Sequence, residues 1–231
     1  MSSVVFDIET GPGSDEVLKE LFVPKTREEF VGDRNWKAET VEANYKKYLD
    51  GALEEFKRSA ALNAISGQVL AIGYRSIDKK VIHGQGEESE GRAMTEFDVL
   101  SKFWHYYQQL RAASRSLIGF NIKDFDIPFI VQRSIIQGIA IPSSLFSGNG
   151  RYLDSLFIDL RDVWKAGVYN GKGSLDAICR ACGIGAKTEG VDGSMFAELW
   201  MGGSEKRAIA KHYLLNDLDM TWQLADRCNA L

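Results

Sequence analysis

Apolar and polar positions alternate with two different periods along the chain, and the period separates predicted strands from predicted helices. Short apolar runs bounded by turn residues are typical of buried strands, whereas apolar residues spaced three and four apart are typical of amphipathic helices. The short runs predict strands at residues 4–8, 68–74, 81–83, 116–120 and 157–160. The longer spacing predicts helices at residues 93–111, 125–137, 174–182 and 204–227.

The order of these elements predicts the fold class. Strands come first, mixed strand and helix units follow, and the chain ends in helices, which favours an α/β fold. We expect a mixed five-stranded sheet flanked by helices, formed by a single domain over residues 1–231. Residues 14–62 are polar and largely helical in pattern, so we expect a helical insertion there, between the first two strands.

Aromatic and basic residues are interleaved within this insertion. One interpretation is a lid that stacks the bases of single-stranded nucleic acid. The other is a structural cover, because aromatic residues at helical spacing more often bury themselves against the rest of a protein. The residues concerned are Trp36, Tyr45, Tyr48 and Phe56, set among Arg34, Lys37, Lys46, Lys47 and Lys57.

Composition narrows the class of protein. The 231 residues carry a net charge of −4, which argues against tight binding of duplex DNA by the whole surface. No apolar run reaches the roughly 18 residues of a membrane span, and the N-terminus does not resemble a signal peptide. Three cysteines do not suggest a disulfide framework. We therefore expect a soluble, cytoplasmic protein, in which Cys179 and Cys182 face the core rather than a metal.

The triplet Asp7-Ile8-Glu9 is the first candidate for chemistry. Residues i and i+2 of a strand point to the same face, so both carboxylates project together. Two buried acids side by side are costly unless a cation lies between them. The triplet alone is weak evidence, since a pair of acids at a sheet edge is often simply solvated.

The second candidate is the segment of residues 119–128, GFNIKDFDIP. It begins where a strand is predicted to end and stops where a helix is predicted to begin, so its side chains can point into a cleft. The alternative is a turn rich in Asn and Asp, with Asp124 or Asp126 capping the helix.

The third candidate is Asp217 in the last predicted helix, preceded by His212 and Tyr213. A helix turns by about 100° per residue, so Tyr213 lies roughly 40° from Asp217 around the axis and His212 roughly 140° away. A continuous helix therefore places only the tyrosine on the face of the aspartate. The alternative is an acid on a solvated stripe that includes Asp219.

Taken together and in this order, the three motifs resemble the DEDD superfamily of 3′→5′ exonucleases, whose fold is RNase H-like. The resemblance is closer to the stand-alone relatives of the proofreading exonuclease domain of family B DNA polymerases. It rests on FDIET at residues 6–10, N-x-x-x-F-D at 121–126 and Y-x-x-x-D at 213–217. GSLDAIC at 173–179 and Lys187 are weaker similarities.

The resemblance implies a metal site made of four carboxylates. Asp7 would bridge two divalent cations, Mg²⁺ or Mn²⁺, with Glu9, Asp126 and Asp217 completing the set. Hard oxygen ligands suit these cations, and two of them about 4 Å apart can activate a water and stabilise the leaving oxygen. The family spacing selects Asp126 rather than Asp124.

The resemblance also assigns roles around the metals. One branch of the superfamily orients the attacking water with a tyrosine four residues before the last aspartate, and the other uses a histidine five residues before it. Tyr213 and His212 occupy those two positions here, and helix phase favours Tyr213, the DEDDy arrangement. Thr10 and Asn121 match positions that contact the terminal nucleotide.

We therefore expect an enzyme that removes nucleotides from the 3′ end of single-stranded or frayed DNA. One alternative is an exoribonuclease that trims RNA, because the superfamily accepts either sugar. The other is a catalytically silent domain that binds nucleic acid or docks to another protein, which the four intact acids argue against. Nucleic acid is the expected partner; a polymerase or repair protein is not identified by the sequence.

Overall fold

The structure, a computed structural model, describes residues 3–146, 154–169, 171–187 and 190–231. The strands are β1 (Val4–Pro12), β2 (Gly67–Arg75), β3 (Lys80–Gly84), β4 (Glu88–Ser89), β5 (Arg92–Ala93), β6 (Leu117–Gly119) and β7 (Phe157–Asp159). The helices are α1 (Asp15–Leu21), α2 (Ala38–Ala60), α3 (Glu96–Ala112), α4 (Asp126–Ile136), α5 (Leu160–Lys165), α6 (Leu175–Ala181), α7 (Phe196–Met201) and α8 (Ser204–Arg227).

The main sheet contains the five strands that the sequence predicts, in the order β3-β2-β1-β6-β7. β1 pairs in parallel with β6, and β6 in parallel with β7, whereas β2 and β3 are antiparallel. The prediction of an α/β fold with a mixed five-stranded sheet is therefore confirmed. The short β4–β5 hairpin is an addition that the apolar pattern did not predict.

Consecutive residues of β1 point to opposite faces of the sheet, and each face is covered by helices. Val5 belongs to a core cluster with Leu214 and Leu218 of α8. On the other face the Phe6 ring lies 5.6 Å from that of Phe103 in α3, measured between centroids. Asp7 and Glu9 follow Val5 at intervals of two residues, so strand geometry turns them toward the α8 side.

Glycine allows α8 and the central strands to approach closely. A Cβ on Gly73 of β2 would lie 2.7 Å from Leu218 Cδ1 and 3.0 Å from Leu214 Cγ. A Cβ on Gly119, at the end of β6, would lie 2.9 Å from the carbonyl oxygen of Phe6 in β1. Larger residues at either position would push α8 or β1 away from its neighbour.

Residues 11–68 form one compact unit, and residues 1–10 with 69–231 form another. The first unit contains α1 and α2, while residues 22–37 between them form no regular helix. Its aromatic rings contact one another, with centroids 5.4 Å apart for both Phe30–Tyr45 and Phe30–Tyr48. The suggested role of the insertion as a lid stays a prediction.

Two other expectations concern apolar helices and cysteines. Within the described ranges, no helix has both the length and the apolar character needed to span a bilayer. Cys179 and Cys182 are free thiols. Cys179 is buried in the core cluster, and Cys182 packs against it.

Candidate metal centre and active site

Three carboxylates converge where β1 faces α8. One oxygen from each of Asp7, Glu9 and Asp217 lies within 4.8 Å of the other two. Strand alternation gives Asp7 and Glu9 the same direction. Leu214 and Leu218 of α8 pack into the core cluster with Val5 of β1. Asp217 precedes Leu218 by one residue and therefore lies at the edge of that packed face, beside the acids of β1.

The surroundings disfavour the charged forms of these acids. Burial, followed by the charges of Asp126 and Asp217, raises the pKa of Asp7 well above its ordinary value. Burial and then the charge of Asp7 raise the pKa of Glu9 in the same way. Burial also raises the pKa of Asp217. Clustered acids of this kind can all ionise only when a cation is added between them.

Asp217 has one oxygen that is satisfied and one that is not. Its Oδ2 accepts a hydrogen bond from the ammonium of Lys187 at 2.8 Å. Its Oδ1 is buried and has no hydrogen-bond partner among the described residues. An orphaned buried carboxylate oxygen beside two further carboxylates fits a hard divalent cation such as Mg²⁺ or Mn²⁺.

Tyr213 and His212 occupy different environments on α8, which is continuous over Ser204–Arg227. The Tyr213 side chain is buried and lines the same cleft as the acids, whereas His212 is exposed and is not part of the lining. The Tyr213 hydroxyl accepts a hydrogen bond from Lys187 Nζ at 2.9 Å. Burial, together with the charge of Asp217, raises the pKa of Tyr213 to about 12. The hydroxyl therefore keeps its proton at neutral pH.

The Asp126 side chain is hydrogen-bonded to β1 at Ile8, which stands between Asp7 and Glu9. Its Oδ1 accepts a hydrogen bond from the backbone N–H of Ile8 at 3.1 Å, and its side chain is buried. Burial raises the pKa of Asp126 to about 7. Asp126 lies outside the group of three converging acids. Asp124, the alternative within the motif, is exposed, and its Oδ2 lies 3.8 Å from Lys165 Nζ.

Asp159 shapes the turn that leads to Asp126. Its Oδ1 accepts hydrogen bonds from the backbone N–H groups of Asn121 and Arg161, at 2.8 and 2.9 Å. Its Oδ2 accepts one from the N–H of Lys123 at 2.9 Å. The carboxylate thus joins the ends of β6 and β7, where the chain must leave both parallel strands at one edge. Neither Asp124 nor Asp126 caps α4. The helix begins at Asp126, its N-cap residue is Phe125, and no side chain caps it by a hydrogen bond.

A cleft of about 950 Å³ opens at this edge of the sheet. Asn121 lines it in a left-handed backbone conformation, with φ of 65°, which asparagine tolerates better than most residues. The Asn121 side-chain oxygen accepts a hydrogen bond from Arg161. Thr10 is half-buried on β1 and is not among the described residues that line the cleft.

Several residues of the cleft were not singled out by the sequence patterns. They come from α5 and from the segment after it, where no motif marks them. These charged and aromatic lining residues are Arg161, Lys165, Tyr169 and Lys172, whereas Lys187, after α6, was noted only as one of the weaker similarities.

A mixed sheet flanked by helices, with a carboxylate-lined cleft at its carboxyl edge, matches an RNase H-like fold. The chain belongs to a family described as predicted 3′-5′ exonucleases related to the exonuclease domain of PolB, whose model matches residues 55–230. The match includes Asp126, Tyr213 and Asp217 and begins after Asp7 and Glu9. The resemblance inferred from the motifs is thereby confirmed. A comparison with curated proteins found no match.

Among solved structures, the chain is similar to the family B DNA polymerase from the hyperthermophilic archaeon Pyrobaculum calidifontis. The TM-score is 0.56 at 16% sequence identity, and the alignment covers 98% of this chain. It covers 24% of the polymerase, so the chain spans about a quarter of that protein's length. The likeness extends to β1, which the family match does not reach, and supports the RNase H-like fold.

Proposed function

We propose that the protein is a 3′→5′ exonuclease of the DEDDy type that hydrolyses single-stranded or frayed DNA with two divalent cations. The observation that carries the proposal is the convergence of Asp7, Glu9 and Asp217 in an open cleft, with one buried oxygen of Asp217 unpartnered. In a chain that belongs to an exonuclease family, such a site is best explained as a metal centre.

Asp7, Glu9, Asp126 and Asp217 would hold the cations. When bound, the cations would lower the pKa of a water and neutralise charge on the scissile phosphate. Asp126 keeps its Oδ1 on the N–H of Ile8, between the two acids of β1. Four ionised carboxylates balance the charge of two dications, which relieves the repulsion that raises the pKa of Asp7.

Tyr213 would orient the attacking water rather than remove its proton. Its pKa of about 12 keeps the hydroxyl protonated at neutral pH, so it can donate a hydrogen bond. Lys187 fixes the position of both Tyr213 and Asp217 by hydrogen bonds of 2.9 and 2.8 Å. Its ammonium lies beside the acids, where it can also approach a phosphate. Asn121 and Thr10 are proposed to contact the terminal nucleotide.

We also propose that residues 14–62 are an insertion within one exonuclease domain. β1 and β2 precede and follow it in sequence and are neighbours in the main sheet. The sheet is thus continuous across the insertion, as expected for an addition to a single domain.

The test uses matched DNA and RNA strands labelled at either the 5′ or the 3′ end, incubated with Mn²⁺ or with EDTA. We expect metal-dependent shortening of 5′-labelled single-stranded DNA, one nucleotide at a time, and immediate release of the label from 3′-labelled DNA. If the RNA strand is degraded faster than the DNA strand, RNA replaces DNA as the proposed substrate. Absence of metal-dependent loss from the 3′ end of both would refute the proposed activity.

A further inference from the structure

The cleft has a second wall, formed by α5 and the segment that follows it, which contributes cations and an aromatic ring instead of acids. We propose that this basic wall, consisting of Arg161, Lys165, Tyr169 and Lys172, binds the phosphates and an unpaired base of a single-stranded polynucleotide behind its 3′ end. The inference rests on the proposed function and assigns the residues of that site that hold the strand behind its 3′ end.

The two stretches that carry the wall are held against each other. A Cβ on Gly171 would lie 2.6 Å from Lys165 Cγ, so only glycine lets the chain approach α5 so closely. Trp164 Nε1 donates a hydrogen bond of 2.9 Å to the carbonyl oxygen of Lys172. Lys165 and Lys172 are thereby fixed on one side of the same cleft.

The positive charges of the wall are mostly uncompensated. Lys172 is exposed and forms no ion pair with any residue that the structure describes. Lys165 Nζ lies 3.8 Å from Asp124, a long contact with an exposed carboxylate. Arg161 donates to the neutral amide oxygen of Asn121. In a chain with a net charge of −4, cations grouped in the cleft that holds the acids are suited to an anionic substrate.

The exposure of the Tyr169 ring favours an unpaired nucleic-acid strand as the ligand of the wall. The residue is 93% exposed although it lines the cleft, and the neighbouring Val168 is 61% exposed. An exposed aromatic beside lysines is the combination with which proteins stack bases and follow the backbone of single strands. In a duplex the faces of the bases are already stacked on their neighbours. The wall is therefore suited to a single strand.

Binding is measured in EDTA, which separates it from hydrolysis. Fluorescence anisotropy of 12-nucleotide oligo(dT) and oligo(U) is recorded at several salt concentrations for the wild type, Lys165→Gln/Lys172→Gln and Tyr169→Ala. Losing two phosphate contacts should reduce the salt slope by about 1.4 and weaken binding at low salt. Losing one stacked base should weaken binding about tenfold. Lys79→Gln/Lys102→Gln removes the same charge outside the cleft and should bind like the wild type.

The result that overturns the proposal is an unchanged affinity and salt slope in both wall variants. Equal losses in the Lys79/Lys102 control would also overturn it, because the effect would then be one of net charge. A loss for oligo(dT) alone assigns DNA, and a loss for oligo(U) alone assigns RNA. Hydrolysis of thymidine 5′-(p-nitrophenyl phosphate) with Mn²⁺ tests the chemistry separately. If the wild type cleaves neither this ester nor a DNA strand, the proposed function fails while the binding data still decide the wall.

Discussion

Glu96, outside the cleft, and the acids of the cleft differ in how far the folded chain satisfies their carboxylates. Glu96 of α3 accepts four hydrogen bonds, two from Arg133 Nε and Nη2 at 2.9 and 2.7 Å, and one each from the Val69 N–H and Gln137 Nε2, both at 2.8 Å. In the cleft, Asp7 and Glu9 stand beside another acid, and Asp217 keeps one buried oxygen without a partner.

Glu96 is satisfied within the folded chain, whereas one carboxylate oxygen of the cleft is not. The charge of Glu96 is neutralised by Arg133 within the folded chain, so the pair is complete without any bound ion. Among the described residues of the cleft, Lys187 pairs with Asp217 alone, and burial, together with repulsion by the neighbouring charges of Asp126 and Asp217, raises the pKa of Asp7. Such repulsion persists where a bound cation relieves it in the working state.

The largest expected difference between the two groups is in catalysis. Asp7→Asn removes a proposed metal ligand and should cost several kcal/mol of transition-state stabilisation, about 10³-fold in the rate of 3′-end hydrolysis. Glu96→Gln makes the same change of carboxylate to amide away from the cleft and should keep the rate per folded molecule within about threefold. The measurement is single-turnover cleavage of 5′-labelled DNA with Mn²⁺. Equal losses of cleavage rate in both variants would contradict a catalytic role that is specific to the acids of the cleft.

The second prediction reverses the order of the two variants. Glu96→Gln breaks a buried ion pair and leaves the Arg133 charge unmatched, which should lower the free energy of unfolding by about 3 kcal/mol. Asp7→Asn removes like-charge repulsion and should raise it in EDTA. Urea unfolding in EDTA at pH 7.5 measures both. A metal-free Asp7→Asn protein that is less stable than the wild type would contradict the view that the acids repel.

The features predicted from the sequence are those that local geometry determines. Alternation along β1 pairs Asp7 with Glu9, and the 3.6-residue period of α8 places Tyr213, not His212, on the face of Asp217. Five short apolar runs were enough for the sheet because strands buried between helices must be apolar.

The remaining features depend on contacts between distant segments that lack a period. Lys187 lies outside regular structure and reaches Asp217, 30 residues away, through the path of the chain after α6. Asp159 acts on residues 36 and 38 positions earlier, because β6 and β7 end at the same edge. Neither contact produces a local sequence pattern. The weak family similarity at Lys187 was therefore the one feature of the sequence that pointed to either residue.

Two neighbouring side chains of α8, Tyr213 inside the cleft and His212 outside it, should differ in their effect on the rate. Tyr213→Phe removes the protonated hydroxyl that would orient the water and should reduce the hydrolysis rate about 10²-fold. His212→Ala alters an exposed side chain of the same helix and should leave the rate within about twofold. The rate is measured from pH 6 to 9. A larger loss in His212→Ala, or a rate limb near pH 6.5 that this variant abolishes, would transfer the role to the histidine.

The smallest expected effect is a pH dependence of stability that originates from Asp126. Burial raises its pKa to about 7 in the folded protein, against about 3.9 in the unfolded chain. Folding therefore favours the neutral carboxyl. The resulting stabilisation is complete below about pH 4 and is lost as the pH rises to about 7. In EDTA, Tm of the wild type should fall by about 6 °C more than Tm of Asp126→Asn between pH 5.5 and 8.5, since about 2 kcal/mol of stability is lost over that range. The exposed Asp124→Asn serves as the control and should follow the wild type. Parallel Tm curves for the wild type and Asp126→Asn would show that Asp126 is ionised throughout, satisfied within the chain as Glu96 is.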